Sequence, residues 1–221
     1  MYEYDVVCIG GGPGGSATAM RCADRGKKVC LIEGRARNGS GGTCVNRGCI
    51  PTKALMASAN LYASIKEAKA FGINVDMSAV SVDFKAIDKR KNAVINGLGF
   101  GLEAMLWKKS RGIDVVKGRA TLLDAHTIEV DNGKVKKTVT AENIVVAVGS
   151  EPAEIAAFNV DHKKVITSNE IMDFSRPLPK SIVIIGSGAI GLEYGHIYNI
   201  YGVDVTIVEM MPNLVPALHD T

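Results

Sequence analysis

Hydrophobic and polar positions near the start of the chain form a strand, a glycine-rich turn, a helix and a second strand. Residues 4–9 are a short, nearly continuous apolar run, which is typical of a strand buried on both faces. The turn at 10–15 leads into a helical pattern at 17–25, and a second apolar run at 28–32 ends at Glu33. This order predicts a β-α-β unit of about thirty residues.

The same pattern returns towards the other end of the chain. Residues 181–185 are an apolar run, 186–191 a glycine turn, 192–201 a helical pattern, and 203–208 a strand pattern closed by Glu209. A repeat of this kind indicates two similar units. We therefore expect an α/β protein of the Rossmann-like, three-layer type that binds dinucleotides.

The stretch between the two units predicts helices first and strands afterwards. Long helical patterns cover 52–70 and 84–109, and the turn signal Asp131-Asn132-Gly133 predicts a hairpin within a small antiparallel meander. Residues 151–179 are interpreted as a connector with a short helix at 169–174. The predicted strands of this region are 113–117, 119–123, 126–130, 135–140 and 144–148.

Both turns carry the spacing G-x-G-x-x-G, in which the glycines permit a tight turn, close approach of a pyrophosphate, and packing of helix on strand. An acid at the end of the second strand, here Glu33 or Glu209, can accept hydrogen bonds from ribose hydroxyls. The alternative is a glycine turn without a ligand, which the repeated strand-turn-helix context disfavours. The six glycines are Gly10, Gly12 and Gly15 in the first turn, and Gly186, Gly188 and Gly191 in the second.

Glu209 also bears on the choice of nicotinamide cofactor. A carboxylate suits the free 2′-hydroxyl of NAD and would repel the 2′-phosphate of NADP. The sequence has no Arg or Lys between 209 and 221 that could bind that phosphate. We therefore expect NAD at the second turn.

Cys44 and Cys49 lie in the segment GGTCVNRGCIPTK at residues 41–53. In a regular helix five residues advance about 7.5 Å and turn about 500°, whereas a disulfide needs Cα atoms about 4.4–6.8 Å apart. A bond between these cysteines therefore requires an irregular turn, which Gly48 could provide. The spacing alone is compatible with a reversible dithiol/disulfide pair, with structural thiols, or with half of a metal site.

The neighbouring dinucleotide turns favour redox chemistry. A nicotinamide carries hydride and a dithiol carries two electrons with protons, and a flavin can exchange with both. We expect FAD at the first turn, because that unit leads directly into the cysteine segment. No further metal ligands lie close to the two cysteines in sequence, so no metal is expected.

The composition narrows the class of partner. The net charge of +3 is too small to suggest nucleic acid or an anionic membrane as a partner, and no apolar run reaches the ~18 residues of a membrane span.

Cys8, Cys22 and Cys30 are expected to be inert packed thiols, which leaves one exchangeable pair in a reducing compartment. No signal peptide is visible after Met1, so an organelle-targeting segment would have been removed or never present.

The sequence resembles the pyridine nucleotide-disulfide oxidoreductases. The resemblance rests on GGTCVNRGCIPTKAL, with GGGPGG before it and GSGAIGLE after it, and covers essentially the whole chain. Within the family it is most similar to the dihydrolipoamide dehydrogenase branch, the E3 component of 2-oxoacid dehydrogenase complexes. Asn46-Arg47-Gly48 and the run VITSNEI at 165–171 are most similar to the plastid and cyanobacterial type.

The resemblance implies oxidation of dihydrolipoamide by NAD through FAD and a Cys44–Cys49 disulfide. Cys44 would exchange with the dithiol substrate, Cys49 would contact the flavin, and Lys53 would lie beside the flavin and pair with Glu193. The residues implied to bind FAD or NAD are Gly10, Gly12, Pro13, Gly14, Gly15, Glu33, Gly42, Thr43, Lys53, Ala120, Val148, Gly149, Ser150, Gly186, Gly188, Ile190, Gly191, Glu193 and Glu209.

The resemblance further implies a homodimer in the full-length form, which serves the lipoyl-bearing E2 subunit of a 2-oxoacid dehydrogenase complex. A plastid or apicoplast-like organelle is the expected location, with cytoplasm or mitochondrion as alternatives. Residues 1–150 would form the FAD-binding domain, and residues 151–221 the connector and the start of the NAD-binding domain.

Three features depart from the family pattern: a longer loop between Glu33 and Gly41, Val148 where Thr is common, and the short length. We expect an N-terminal fragment without the last FAD-sheet strand, the rest of the NAD domain and the dimer domain that supplies a catalytic His. Such a chain should not turn over alone, and its unpaired sheet edge should favour aggregation. The four histidines, His126, His162, His196 and His219, lie outside that context.

Two other functions remain open from the sequence. The first is a neighbouring enzyme, such as glutathione or mercuric reductase. Against glutathione reductase, Glu209 and the lack of basic residues near it favour NAD. The second is a flavin-binding or interaction module without catalysis.

Overall fold

A computed structural model of the protein describes residues 1–34, 40–106, 108 and 111–215. The chain forms two compact units, each built from two separate stretches. The first unit contains residues 1–50 and 94–151, and the second contains residues 51–93 and 152–221. Most of the loop that is expected to be long, between Glu33 and Gly41, lies outside the described residues. The division of the domains at residue 150 stays a prediction.

The first unit is built on a six-stranded sheet with the order β3-β2-β1-β6-β5-β4. β1 pairs in parallel with β2 and β6, and β2 pairs in parallel with β3. β5 is antiparallel to both β4 and β6, which gives the expected meander. The strands are β1 (Tyr4–Ile9), β2 (Val29–Glu33), β3 (Ile113–Lys117), β4 (Arg119–Leu122), β5 (Thr127–Asp131) and β6 (Lys136–Val146).

β6 corrects the prediction of separate strands at 135–140 and 144–148. It pairs with β5 as far as Thr140 and with β1 from Ala141 onwards, so one strand serves both parts of the sheet. Neither glycine nor proline interrupts the chain at this point, and Asn143 Nδ2 donates to Asp5 O at 3.3 Å across the β1 pairing. A continuous strand therefore satisfies the backbone where two strands were expected.

Two hydrophobic clusters cover opposite faces of the parallel strands. One cluster contains Ile32 together with Ile128 and Val139 of the meander. The other contains Leu31, Ala19 of the first helix and Leu106 at the end of a long helix. Successive residues of β2 thus face different layers, which confirms the three-layer architecture.

The helices expected beside the two glycine turns are present but begin earlier than predicted, and the helix at Gly42–Arg47 was not predicted. α1 begins at Pro13 rather than at residue 17, because proline suits the first turn of a helix and two glycines follow it within that turn. Among the described residues the helices are α1 (Pro13–Ala23), α2 (Gly42–Arg47), α3 (Cys49–Glu67), α4 (Phe84–Leu106) and α5 (Ala189–Ile200), and short 3₁₀ turns include Ala68–Phe71, Met77–Ala79 and Ala156–Phe158.

The second unit packs α3, the start of α4 and α5 around Phe174, which is fully buried. Tyr198 meets the Phe174 ring edge-on, with ring centroids 5.4 Å apart. In the part of this unit that the structure describes, the sheet has two parallel strands, β7 (Ser181–Ile185) and β8 (Asp204–Val208). One face of that sheet packs against α5 through side chains such as Ile207. A Cβ on Gly195 would lie 3.2 Å from Ile207 Cδ1, so the helix and the strand are in close contact there.

The helix expected at 169–174 is absent, and a turn takes its place. Side chains of α4 bind this segment. Asp88 Oδ1 accepts from Phe174 N at 3.1 Å, and Lys91 Nζ donates to Met172 O at 2.8 Å and to Asp88 Oδ1 at 2.6 Å. Lys91 is 4% exposed, so the connector is fixed by a buried ion pair instead of helical hydrogen bonds.

Within the described ranges, no helix is both long enough and apolar enough to cross a membrane.

Candidate redox and dinucleotide site

The first glycine turn joins β1 to α1 with no room for side chains at two of its positions. Gly10 has φ +103°, and a Cβ there would lie 2.3 Å from Ala147 O. A Cβ on Gly15 would lie 1.8 Å from Gly10 O. The tight turn and the close helix-strand contact therefore both require glycine.

The N-terminus of α1 is open to an anion. Gly12 is the capping residue, no side chain caps the helix, and no acid lies in its first turn. Pro13 is the first helical residue and lacks an amide hydrogen, so the following amides carry the positive end of the helix dipole. A phosphate is the natural ligand of such a site.

Glu33 at the end of β2 is bound at the same turn. Gly11 N donates to Glu33 Oε2 at 2.9 Å. A Cβ on Gly11 would lie 2.2 Å from that oxygen, so a glycine allows the carboxylate to approach the backbone. Each carboxylate oxygen can accept more than one hydrogen bond, so the proposed ribose contact stays a prediction.

The cysteine segment begins on top of this turn. Gly41 N donates to Gly11 O at 2.9 Å, and a Cβ on Gly42 would lie 2.7 Å from Gly12 Cα. Gly42 also has φ +57°, which favours glycine. The two glycine-rich stretches therefore meet backbone to backbone, and α2 starts at the open end of α1.

The helical structure is interrupted between the two cysteines at Gly48, the residue that the sequence offers for an irregular turn. Cys44 lies half-buried in α2, and Cys49 is the exposed first residue of α3. Gly48 separates the helices with φ −134° and ψ −109°. A Cβ there would lie 3.2 Å from Thr43 O and 3.6 Å from Cys44 Cα, so the start of α3 folds closely against α2.

No disulfide joins any of the five cysteines in this structure. Burial raises the pKa of the Cys8 thiol to about 11 and that of Cys30 to about 12. Both are fully buried, so neither supplies a thiolate near neutral pH. Cys22 is half-buried in α1 and packs against a core cluster of the first unit. The exposed Cys49 and half-buried Cys44 lie in one short segment and are therefore the candidates for a thiol pair.

The remaining residues predicted to line the first site occupy several places. Val148 follows β6 and lies near Gly10, whose Cβ position is 3.3 Å from Val148 Cα. Gly149 and Ser150 follow, with φ +75° at Gly149. Ala120 lies in β4 opposite Val130 and packs against the meander core, whereas Thr43 is exposed on α2.

Two neighbouring pairs of side chains join α3 to α5 in the second unit. Lys53 Nζ and Glu193 Oε1 form a partly exposed ion pair. Thr52 Oγ1 donates to Tyr194 Oη at 3.2 Å in the buried layer below it. The pairing of Lys53 with Glu193 is observed directly, and its role beside a flavin stays a prediction.

The second glycine turn repeats the geometry of the first. Gly186 has φ +100°, and a Cβ on Gly191 would lie 2.2 Å from Gly186 O. Gly188 caps α5 without a side-chain hydrogen bond, and Ile190 is exposed on its first turn. This helix N-terminus is also open to an anion.

Glu209 closes the second turn. Its Oε1 accepts from Met211 N at 2.9 Å, and its Oε2 accepts from Ser187 N at 2.8 Å and Ser187 Oγ at 2.7 Å. These hydrogen bonds, first the one from Met211 N, lower the pKa of the Glu209 carboxyl to about 2. The group is therefore an anion across the physiological pH range.

Comparison with known proteins agrees with this arrangement. The family of pyridine nucleotide-disulphide oxidoreductases matches residues 4–221. The chain belongs to this family.

Among its relatives, the dihydrolipoyl dehydrogenase of Chlorobaculum parvum is 42% identical over 217 residues, which are 97% of this chain and 44% of that protein. A dihydrolipoyl dehydrogenase of Bacillus subtilis is 36% identical and is covered to 45%. The chain thus spans less than half the length of these relatives. The Escherichia coli HOCl-induced flavoprotein disulfide reductase RclA, solved as a Cu(II) complex, superposes with a TM-score of 0.76 at 28% identity, over 98% of this chain and 44% of that one.

The histidines of this family member lie apart from the cysteines in sequence and have other partners. His126 Nδ1 lies 3.0 Å from Ala141 O, and His196 Nε2 lies 3.1 Å from Asn60 Oδ1 on the surface of α3. His162 pairs with Glu170 at 3.2 Å. His219 lies outside the described residues. Across the described ranges no group of three His, Cys, Asp or Glu side chains could hold a metal ion.

Four contacts at the site were not foreseen from the sequence: Gly11 with Glu33, Gly41–Gly42 with Gly11–Gly12, Arg47 with Glu151, and Thr52 with Tyr194. The first could have been found, because the acid at the end of the second strand recurs at the same spacing in both units. The others join residues that no local pattern connects.

Proposed function

We propose that this chain provides the FAD site, the redox disulfide and the beginning of the nicotinamide site of a dihydrolipoyl dehydrogenase. The overall reaction is the oxidation of dihydrolipoamide to lipoamide with reduction of NAD⁺ to NADH and release of one proton. The observation that carries the proposal is the contact of Gly41 and Gly42 with Gly11 and Gly12, because it attaches the cysteine pair to the first dinucleotide turn.

The residues of the first turn fit FAD. The uncapped α1 and the close contact between Gly12 and Gly42 leave backbone, not side chains, where a pyrophosphate would lie. Asn46 Oδ1 is buried and, among the described residues, has no hydrogen-bond donor, so a ligand hydroxyl could satisfy it. When bound, FAD would supply two-electron exchange between the nicotinamide and the cysteine pair.

The cysteines would exchange with the substrate in two displacement steps. In the oxidised protein, one sulfur of dihydrolipoamide attacks Cys44, and Cys49 leaves as a thiolate. The second substrate sulfur then displaces Cys44 and closes the lipoamide disulfide. The substrate loses two electrons and two protons: the cysteine pair gains the electrons, Cys44 leaves as a thiol that keeps one proton, and the other proton passes to solvent.

Lys53 and Glu193 would set the electrostatic environment of the flavin. Lys53 lies four residues after Cys49 in α3, so the two share one helix face. Its ammonium is held by Glu193, and a fixed cation of this kind stabilises developing negative charge. Lys53 would therefore act as an electrostatic partner of the flavin, as the family resemblance implies.

NAD is proposed for the second turn. Glu209 is held ionised by the backbone amides of Ser187 and Met211, and an ionised carboxylate favours a ribose hydroxyl over a phosphate. Its location at the turn supports the choice of NAD over NADP, and with it a lipoamide-type enzyme over a glutathione reductase.

We further propose that the full-length form is a homodimer that acts on the lipoyl-bearing E2 subunit of a 2-oxoacid dehydrogenase complex and has a role in cell redox homeostasis. We also propose that it is located in a plastid or apicoplast-like organelle. Support for the location comes from the sequence run 165–171 and from Asn46-Arg47-Gly48. Imaging of the tagged full-length protein in its own cells would test it. Fluorescence outside any such organelle would refute it.

Spectroscopy of the cysteine variants tests the proposed chemistry. With FAD bound and reduced by a dithiol, the wild type should show long-wavelength charge-transfer absorbance from the Cys49 thiolate. Cys49→Ser should abolish this band, and Cys44→Ser should retain or increase it. Equal behaviour of the two variants would contradict the roles, and reduction by glutathione but not by dihydrolipoamide would favour the glutathione-reductase alternative.

A further inference from the structure

Arg47 and Glu151 form a two-pronged ion pair next to the cysteine segment. Arg47 is the last residue of α2, and Glu151 follows β6. Arg47 Nη1 donates to Glu151 Oε2 at 2.9 Å, and Nη2 donates to Oε1 at 3.2 Å. A guanidinium that matches both carboxylate oxygens fixes orientation as well as distance. The pair therefore anchors the end of α2 to the chain after β6.

The beginning of α2 is anchored separately. Gly41 N donates to Gly11 O at 2.9 Å, and Gly42 packs against Gly12. A helix of six residues has too few internal hydrogen bonds to persist without tertiary contacts. The position of Cys44 within α2 is therefore set by these two anchors.

Gly48 couples the position of Arg47, which is fixed by its ion pair, to the position of Cys49. It follows Arg47 directly, and its Cβ position lies 3.2 Å from Thr43 O and 3.6 Å from Cys44 Cα. The residue after it, Cys49, opens α3. Because disulfide formation tolerates only a narrow range of Cα and Cβ separations, a small displacement at residue 47 changes how readily the two sulfurs meet.

We infer that the Arg47–Glu151 ion pair is a positioning device for the Cys44–Cys49 couple, which holds the two thiols in the arrangement that favours their disulfide. This role rests on the function proposed above. Neither residue reacts, and the effect acts through the backbone of α2 and its junction with α3.

The equilibrium with glutathione measures the effect without a flavin. The two protein thiols lose two electrons and two protons in forming the disulfide, and oxidised glutathione takes them up to give two molecules of glutathione. The complete chain is equilibrated in glutathione buffers of graded ratio, quenched with acid and alkylated. Peptide mass spectrometry then gives the oxidised fraction of Cys44 and Cys49 separately from the other cysteines.

Arg47→Gln and Glu151→Gln should each lower the equilibrium constant for disulfide formation roughly tenfold, which equals about 30 mV for a two-electron couple. The double variant Arg47→Glu with Glu151→Arg restores the ion pair with its charges exchanged. It should return the constant to within about threefold of the wild type, because positioning depends on the pair and not on its polarity.

A direct charge effect gives the opposite pattern and would overturn the inference. If the positive charge of Arg47 acted on a thiolate by itself, Arg47→Gln and Glu151→Gln would shift the equilibrium in opposite directions. The exchanged pair would then remain far from the wild type, since residue 47 would carry a negative charge.

Arg111 and Asp24 provide a matched control in the first unit. Their side chains are 33% and 47% exposed, against 32% and 45% for Arg47 and Glu151. Arg111→Gln should leave the equilibrium within about twofold of wild type, since this pair anchors neither α2 nor the start of α3. An equal loss in this control would assign the effect to general destabilisation and overturn the role.

Hydrogen exchange of the first unit verifies that each variant is folded, and Glu151→Gln serves as the second route if Arg47→Gln is not. If the wild type forms no Cys44–Cys49 disulfide in any buffer, the proposed function fails together with the inference. If the wild type forms it and all variants stay within twofold, the inference alone fails.

Discussion

The two β-α-β units have the same turn in two different surroundings. In both, the third glycine lies against the carbonyl oxygen of the first, with Cβ positions 1.8 Å away at Gly15 and 2.2 Å at Gly191. At the first glycine they differ. A Cβ on Gly10 would meet Ala147 O at 2.3 Å, whereas a Cβ on Gly186 would have no described atom within 4 Å. The third glycine is thus required by the turn itself in both units, whereas the first glycine is required by a neighbouring strand only in the first unit.

The strands before the turns show the same contrast. Val7 and Val183 each stand three residues before the first glycine, yet Val7 is fully buried and Val183 is 64% exposed. β1 has a parallel neighbour on each side and a packed layer on each face, whereas β7 is paired only with β8 within the described residues. The same local sequence pattern therefore forms a core strand in the first unit and a half-exposed strand in the second.

The largest difference should come from alanine at the two first glycines. Both changes place a side chain at φ near +100°, which costs about 1–3 kcal/mol. Gly10→Ala also drives Cβ into Ala147 O, so we expect an additional loss of about 2 kcal/mol in the first unit. Peptide-resolved hydrogen exchange gives the opening free energy of each unit. Equal losses for Gly10→Ala and Gly186→Ala would break the comparison.

A smaller difference is expected for the matched valines. Val7→Ala removes two buried methyl groups and should lower the opening free energy of the first unit by about 2 kcal/mol. Val183→Ala should change the second unit by less than about 0.5 kcal/mol, because its side chain is mostly in water. Comparable losses in the same exchange experiment would show that the face of β7 is covered in solution.

Glu209 should make the second unit sensitive to acid. Its folded-state pKa of about 2 lies below the ordinary 4.5, so its hydrogen bonds stabilise the fold above pH 4.5, and that stabilisation is lost as the pH falls towards 2. Glu209→Gln should therefore be less stable than wild type at pH 7, with a difference that shrinks between pH 4.5 and 2. The exposed Glu67→Gln serves as control, and a pH-independent difference for Glu209→Gln would contradict the account.

The smallest stability effect should come from Lys53. Its ion pair with Glu193 is as exposed as the pair of Lys136 with Glu129 in the first unit, with side-chain exposures of 57% and 29% against 63% and 30%. Lys53→Met should cost less than about 1 kcal/mol in opening free energy, and Lys136→Met should behave alike. Only Lys53→Met should slow reduction of bound FAD by NADH in a stopped-flow experiment. Equal rates for both variants would remove the proposed electrostatic role.

The sequence was sufficient for those parts of the fold that depend on local pattern. The two glycine turns, the acids at 33 and 209, and the break at Gly48 follow from residue types at fixed spacing. The expected helix at 169–174 failed because Asp88 and Lys91, which lie in a different helix, bind that segment. Arg47 and Glu151 are 104 residues apart, and only the sheet that brings the end of β6 to α2 makes them neighbours.

The most direct test of the account is hydrogen exchange of the whole chain with and without FAD. FAD should protect peptides that contain 10–15 and 41–49 and leave 186–191 unchanged, whereas NADH should protect 186–191. This result would assign the flavin to the crowded first turn that carries the cysteines. Protection of 186–191 by FAD, or no change at 10–15 with a folded chain, would contradict the central claim.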